Sequence, residues 1–216
     1  IPYRDLIINV LESNCVLDLV QENQGGITWR PLEAMFYKKK LVTSFKKIAN
    51  YDFYCQENVF ILEELKKAGV KCITWTGGEA LLLNGIDELL EKAYMMGIKN
   101  KIITNGKLLT KERIDKIYKY LDSITLSIDS IDNEINESLG RGKNHFQEVK
   151  NILDYIKFKN YDVKIRINSV ICKYNITDIN NLVKFLNEYN IYSWRIFKFM
   201  PLREKAIVNQ NMFNIS

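Results

Sequence analysis

Six short stretches of this sequence place groups able to bind a ligand close to the ends of apolar runs. Thr76-Gly77-Gly78-Glu79 follows "VKCITW", Asn105-Gly106 follows "KIIT", and Asp129 and Ser130 lie beyond Ser127 at the end of "SITLSID". Farther on come Gly140-Arg141-Gly142, then Arg166 and Asn168 inside "VKIRINSVI", then Arg195 and Lys198 inside "SWRIFKFM". Gly77 and Gly78 carry no Cβ, so a ligand can approach their backbone closely. The Glu79 carboxylate can pair with an ammonium group, and the arginines can hold phosphate or carboxylate oxygens through charge-assisted bonds. Arg166 and Asn168, two apart, share one face of a strand; Arg195 and Lys198, three apart, face opposite ways unless a bulge intervenes. Each stretch also has a plain structural account: Gly-Gly and Asn-Gly as turns, Gly-Arg-Gly as a surface loop, strand charges as a solvent face. Their shared position argues for more. Four consecutive strand ends carry polar or backbone-exposing groups, and parallel sheets bind ligands at the carboxyl ends of their strands.

The elements that must hold these groups alternate in type. Apolar residues at 59, 61, 62 and 65 predict a helix over 58–69, closed by Gly69. Strands are predicted at 70–75, 101–105, 123–129, 163–171 and 193–200. Between them fall helices at 86–97, closed by Gly97, at 110–121 with Thr110 as N-cap, near 131–138, at 145–159, and at 177–189 with Thr177 as N-cap. Five strands separated by helices predict an α/β fold with a parallel sheet. "DLIINVL" (5–11) makes a sixth strand, and six units suit an open, partial (β/α)6 barrel better than a closed eight-stranded one. A single domain over 1–216 is expected. Residues 16–55 carry a loop at "NQGG" and a helix at "WRPLEAMF" but no sustained period.

Composition narrows the class. Hydrophobic residues make 47% and charged residues 26% of the 216, an ordinary globular balance, and no run of about 18 apolar residues predicts a membrane span. The net charge of +5 suits an anionic ligand such as a nucleotide, yet no basic tract with interleaved aromatics points to nucleic acid. "YKKK" (37–40) reads as a solvated helix face. Four scattered cysteines without a CxxC pair predict a reduced, cytoplasmic protein, with Cys72 and Cys172 as small buried hydrophobes. His145 is the sole histidine, which excludes a histidine-rich zinc site.

Gly77-Gly78-Glu79, Asn105-Gly106 and Ser127–Ser130, each after an apolar strand, resemble the radical S-adenosylmethionine superfamily. Residues 121–145, "KIRINSVICKYN" (164–175) and "WRIFKFMPLREKA" (194–206) are similar to the viperin group within it, over roughly 58–210. The resemblance implies dehydration of a nucleoside triphosphate to its 3′-deoxy-3′,4′-didehydro form, an antiviral chain terminator. It implies S-adenosylmethionine and a [4Fe–4S] cluster as cofactors, a 5′-deoxyadenosyl radical that takes the ribose 4′ hydrogen, and an external electron donor. By the same resemblance, Gly77, Gly78 and Glu79 would hold the methionyl end of S-adenosylmethionine. Asn105, Ser127 and Arg141 would line the rest of that site, and Arg166, Asn168 and Arg195 would face the nucleotide triphosphate.

The chain departs from that pattern in four respects. Ala80 replaces the proline usual after Gly-Gly-Glu, and Arg166 and Arg195 stand where relatives often carry lysine. Ser193 stands where viperin has a further basic residue. The cluster motif Cys-x3-Cys-x2-Cys does not occur. Counting on from Cys15 gives Leu19 and Glu22, and counting back from Cys55 gives Asp52 and Ile48, although cluster irons need thiolates. Three accounts stand open: a sequence lacking its cluster loop, a pseudoenzyme that keeps the nucleotide pocket, or unusual ligation by Cys15 and Cys55. Other radical enzymes of this fold, a cyclase or a peptide maturase, are alternatives for the activity.

Overall fold

The computed structural model describes residues 15–18, 29–76, 79–83, 85–200 and 210–213. The described residues form two compact units. One comprises those up to Ile73 together with Gly85–Lys99, and the other comprises the remainder.

In the first unit, β1 (Cys15–Asp18), β2 (Lys40–Thr43) and β3 (Val59–Ile61) form a parallel sheet in sequence order. Between β1 and β2 lies α1 (Trp29–Phe36), which spans the predicted "WRPLEAMF" helix. The helix expected over 58–69 is instead β3 followed by α2 (Leu62–Lys67). Val59 and Ile61 are buried with Phe60 half-buried between them, a period of two that pairs against Leu41–Thr43. The β-branched and aromatic run "VFI" thus completes the sheet before helical spacing begins. "YKKK" is no helix face: Tyr37 and Lys38 form the turn after α1, Lys38 at φ +53°, and Lys40 opens β2. Val16, Ala34, Leu41, Phe45, Ile48, Val59 and Ile61 make the core here.

Next in the chain come β4 (Cys72–Trp75) and α3 (Ile86–Met95). α3 buries Ile86, Leu89, Leu90 and Ala93, spaced three and four apart as one helical stripe. Gly97, at φ +71°, closes it in the left-handed conformation that glycine adopts without strain. β4 then leads a five-stranded sheet with β5 (Lys99–Thr104), β6 (Ser123–Ser127), β7 (Lys164–Ile171) and β8 (Ile191–Lys198), in the order β4-β5-β6-β7-β8. The β5–β6, β6–β7 and β7–β8 pairs are parallel, as the alternation predicts.

The intervening helices are α4 (Lys111–Ile117), α5 (Asn133–Ser138), α6 (His145–Lys159) and α7 (Ile179–Leu186), and α8 (Gln210–Phe213) lies near the end. Thr110 caps α4 as predicted, its Oγ1 accepting from Arg113 N at 3.2 Å. Thr177 does not cap α7. It sits in a 3-10 turn (Ile176–Asp178), and the residue before α7 is Asp178, whose carboxylate bonds Ser130, Ile131 and Asn181. β6 is buried on both faces, Ser123 to Leu126. The predicted strand at 5–11 lies outside the described residues. Among the described residues no helix is long and apolar enough to cross a membrane.

Candidate functional site

The carboxyl ends of β4 and β5 are joined through one side chain. Glu79 Oε1 accepts from Leu81 N at 3.1 Å and from Thr104 Oγ1 at 2.7 Å, and its Oε2 accepts from Asn105 N at 2.8 Å. A carboxylate offers about four acceptor positions; among the described residues three are in use, which leaves one, on Oε2, for a cation. The segment after Glu79 is held from below as well. Arg113 on α4 donates from Nη1 to Leu81 O at 2.9 Å, a brace that no motif announces. Gly77 and Gly78 lie outside the described residues.

β6, β7 and β8 then lay predicted site residues in register. Ser127 is opposite Asn168, and Asn168 is opposite Arg195. One step earlier, Thr125 is opposite Arg166, and Arg166 is opposite Ser193. Parallel partners share a face, so Ser127, Asn168 and Arg195 form one cross-strand row and Thr125, Arg166 and Ser193 a second row beside it. Asn105 follows Thr104, the last residue of β5 and the partner of Leu126, and so stands just past the strand end. The opposite face of β7 carries the buried Ile165, Ile167, Ser169 and Ile171. Arg166 and Asn168 are half-buried, Arg195 is exposed, and Arg166 Nη1 donates to Ser193 Oγ at 3.0 Å.

Behind these rows the ends of β6 and β7 are fixed by buried polar groups. Asp129, 4% exposed, accepts from Arg141 Nε at 2.7 Å and from Val170 N at 2.8 Å. That leaves the Nη atoms of Arg141 without a partner among the described residues. Ser130 donates to Asp178, and Asn175 Nδ2 reaches both Asp129 O and Val170 O at 2.9 Å. Trp194 Nε1 donates to Ser169 Oγ at 2.9 Å. The sole histidine joins this set unannounced by any motif. His145, at the start of α6 and buried, lies with Nε2 2.8 Å from Ser127 O. Burial pushes its pKa below the ordinary value, so the neutral ring donates Nε2–H to that carbonyl.

The described cysteines have different surroundings. Cys15 is the first residue of β1, opposite Lys40. Cys55 is exposed, with Asn58 Nδ2 3.7 Å from its Sγ, and it lines a cavity of about 380 Å³ with Pro31, Met35 and Phe53. Cys72 is half-buried, short of the full burial predicted, and Cys172 is buried as expected. Among the described residues no three histidine, cysteine or carboxylate side chains come together as metal ligands. The described thiols therefore do not fit a [4Fe–4S] cluster.

The family model of the Radical SAM superfamily matches residues 46–186. The chain belongs to that superfamily. It is 31% identical over 168 residues to an S-adenosylmethionine-dependent nucleotide dehydratase of Flammeovirga pacifica, covering 74% of this chain and 57% of the relative. An enzyme of the same name from Lacinutrix mariniflava is 32% identical over 152 residues, covering 68% of this chain and 31% of the relative. The chain thus spans about a third to just over half of the curated relatives it matches. Among solved structures, Streptococcus suis SuiB is 27% identical with a TM-score of 0.56, covering 66% of this chain and 33% of SuiB. The radical SAM match includes Glu79, Asn105, Ser127, Arg141, Arg166 and Asn168, and it ends before Arg195.

Proposed function

We propose that the chain binds S-adenosylmethionine at the carboxyl ends of β4–β6 and a nucleoside triphosphate across β7 and β8. In this function it belongs to a nucleotide dehydratase that forms the 3′-deoxy-3′,4′-didehydro product. The observation that carries the reading is the row Ser127–Asn168–Arg195, which ties the two subsites through one continuous ladder. The relatives named as nucleotide dehydratases support the same reaction. Glu79, with one acceptor position left, takes the methionyl ammonium beside Gly77 and Gly78. Arg141, held only at Nε, offers its Nη atoms to the methionyl carboxylate or a neighbouring group. Asn105 and Ser127 line the remainder, and Arg166, Asn168 and Arg195 bind the phosphates and sugar. S-adenosylmethionine supplies the hydrogen-abstracting chemistry when bound, with an external electron donor; these side chains bind and orient.

The described thiols do not fit an iron–sulfur cluster. That misfit favours a second reading, a protein that binds S-adenosylmethionine and nucleotide without catalysis. Anaerobic reconstitution with iron and sulfide, followed by calorimetry with S-adenosylhomocysteine and each nucleoside triphosphate, separates the two. Binding of both ligands with about four irons per chain supports the dehydratase, and the product is then sought by mass spectrometry. Binding of both without iron leaves the non-catalytic protein. If neither ligand binds, the site assignment is overturned.

A further inference from the structure

β8 carries one residue more than β7 at the start of their pairing. Ile165 is opposite Ile191, but Arg166 is opposite Ser193, so Tyr192 is the extra residue of a β-bulge. The insertion gathers two groups around the Arg166 guanidinium. Ser193 Oγ accepts from Nη1 at 3.0 Å, and the Tyr192 ring lies 4.5 Å from Cζ. Lys164, two residues earlier on the same face of β7, also reaches that ring, with Nζ at 5.4 Å. The third observation is an absence of bonding. Arg166 Nε is buried and has no hydrogen-bond partner among the described residues.

A guanidinium has two edges that present parallel N–H pairs, Nη1/Nη2 and Nε/Nη2. Ser193 occupies Nη1 and so spoils the first edge. On the second, Nε is out of water and has no partner among the described residues. A buried, unpaired N–H of a cation carries its full desolvation penalty, which a pair of oxygens on one ligand group would offset. The ring of Tyr192 restrains the plane of the guanidinium through a cation–π contact, and Ser193 fixes its rotation. Lysine at this position would supply charge without a fork.

We infer that the Tyr192 bulge is a positioning device: with Ser193 it holds Arg166 so that the Nε/Nη2 edge receives two oxygens of a single phosphate. The inference rests on the nucleotide-binding reading above and adds to it how the phosphate is read. It also accounts for Ser193 in a place where a further cation is expected. One forked, oriented guanidinium delivers two bonds to the phosphate, and the serine hydroxyl serves the orientation.

The test is calorimetry on the full chain with ATP, CTP, GTP, UTP and inorganic tripolyphosphate as probes, and S-adenosylhomocysteine as the control for the neighbouring subsite. Tyr192→Leu is expected to weaken the tightest nucleotide about two- to fivefold, and Tyr192→Phe to restore it. Ser193→Ala is expected to weaken it to a similar degree, and Arg166→Lys about tenfold. In the Arg166→Lys background, Tyr192→Leu is expected to add nothing, while S-adenosylhomocysteine binds unchanged throughout. Equal nucleotide binding by wild type and Tyr192→Leu overturns the inference and leaves the nucleotide site standing. So does a Tyr192→Leu loss that persists in the Arg166→Lys background, or one shared by S-adenosylhomocysteine. If wild type binds neither nucleotide nor tripolyphosphate, the inference and the reading beneath it both fall.

Discussion

The two units treat polar groups at their strand ends differently. At the end of the three-stranded sheet, Asp18 and Thr43 are buried against each other, with Thr43 Oγ1 2.8 Å from Asp18 Oδ2, and the Thr43 oxygen also accepts from Phe45 N at 3.0 Å. In the five-stranded sheet the corresponding groups brace the backbone and still leave an atom open. Among the described residues Glu79 keeps one acceptor position, Arg141 its Nη pair, and Arg166 its Nε. Asp18 and Thr43 are fully buried whereas Glu79, Arg141 and Arg166 are half-buried, so the first pair completes a core and the second set can present chemistry. A ligand site shows itself by unfilled hydrogen-bond capacity on well-anchored side chains, more than by polarity alone.

The sharpest way to break this comparison is at Asp129. Asp129→Ala strands Arg141 and the Val170 N–H, so a stability loss of about 3–5 kcal/mol is expected in urea unfolding, together with weaker S-adenosylhomocysteine binding. Thr43→Val in the other unit is expected to cost less, about 1–3 kcal/mol, and to leave ligand binding intact. If Thr43→Val impaired binding as much as Asp129→Ala did, the contrast between the units would fail.

Glu79→Gln comes next. It keeps the shape but loses the charge, and a charge-assisted bond is worth about 1.5–3 kcal/mol, or roughly ten- to hundredfold in affinity for S-adenosylhomocysteine. Calorimetry showing an unchanged affinity would mean that the open Oε2 position meets no ammonium. Gly106→Ala should cost about 1–2 kcal/mol, since φ is +88° and the new Cβ would stand 3.1 Å from Ile152 Cδ1. A thermal melt within error of wild type would show that this turn relaxes freely.

The smallest effect concerns His145. Its pKa is lowered in the folded chain, chiefly by burial, from an ordinary 6.5. The unfolded chain therefore takes up the proton first. Stability is fully present above 6.5 and is lost as the pH falls through the lower folded value. His145→Gln is expected to flatten that acid slope in denaturant midpoints measured from pH 7 to 5; an unchanged slope would assign it to other groups.

Much of the second unit was legible because period and position agreed. Arg166 and Asn168 share a face by spacing alone, and the helix after β5 begins where its Thr110 cap places it. The rows across β6, β7 and β8 were not legible, since register depends on pairing and a bulge shifts it by one at Tyr192. His145 and Arg113 were missed because each bonds a backbone carbonyl far away in sequence, at Ser127 and Leu81, and no motif records such a partner. In the first unit, strands of three and four residues are too short to show a period, and the apolar stripe of 58–69 merged β3 with α2. Asp178 instead of Thr177 precedes α7 for a tertiary reason, its ties to Ser130 and Ile131.

The Glu79 carboxylate is held at three acceptor positions by groups of the protein itself. Its rotamer is thus selected before any ligand arrives, and the torsional freedom that a glutamate would lose on binding is already gone. An ammonium group meeting it should associate with little entropic penalty from this side chain. In calorimetry, Thr104→Val, which removes one of those holds, should therefore make the binding entropy less favourable while the contact enthalpy is largely kept.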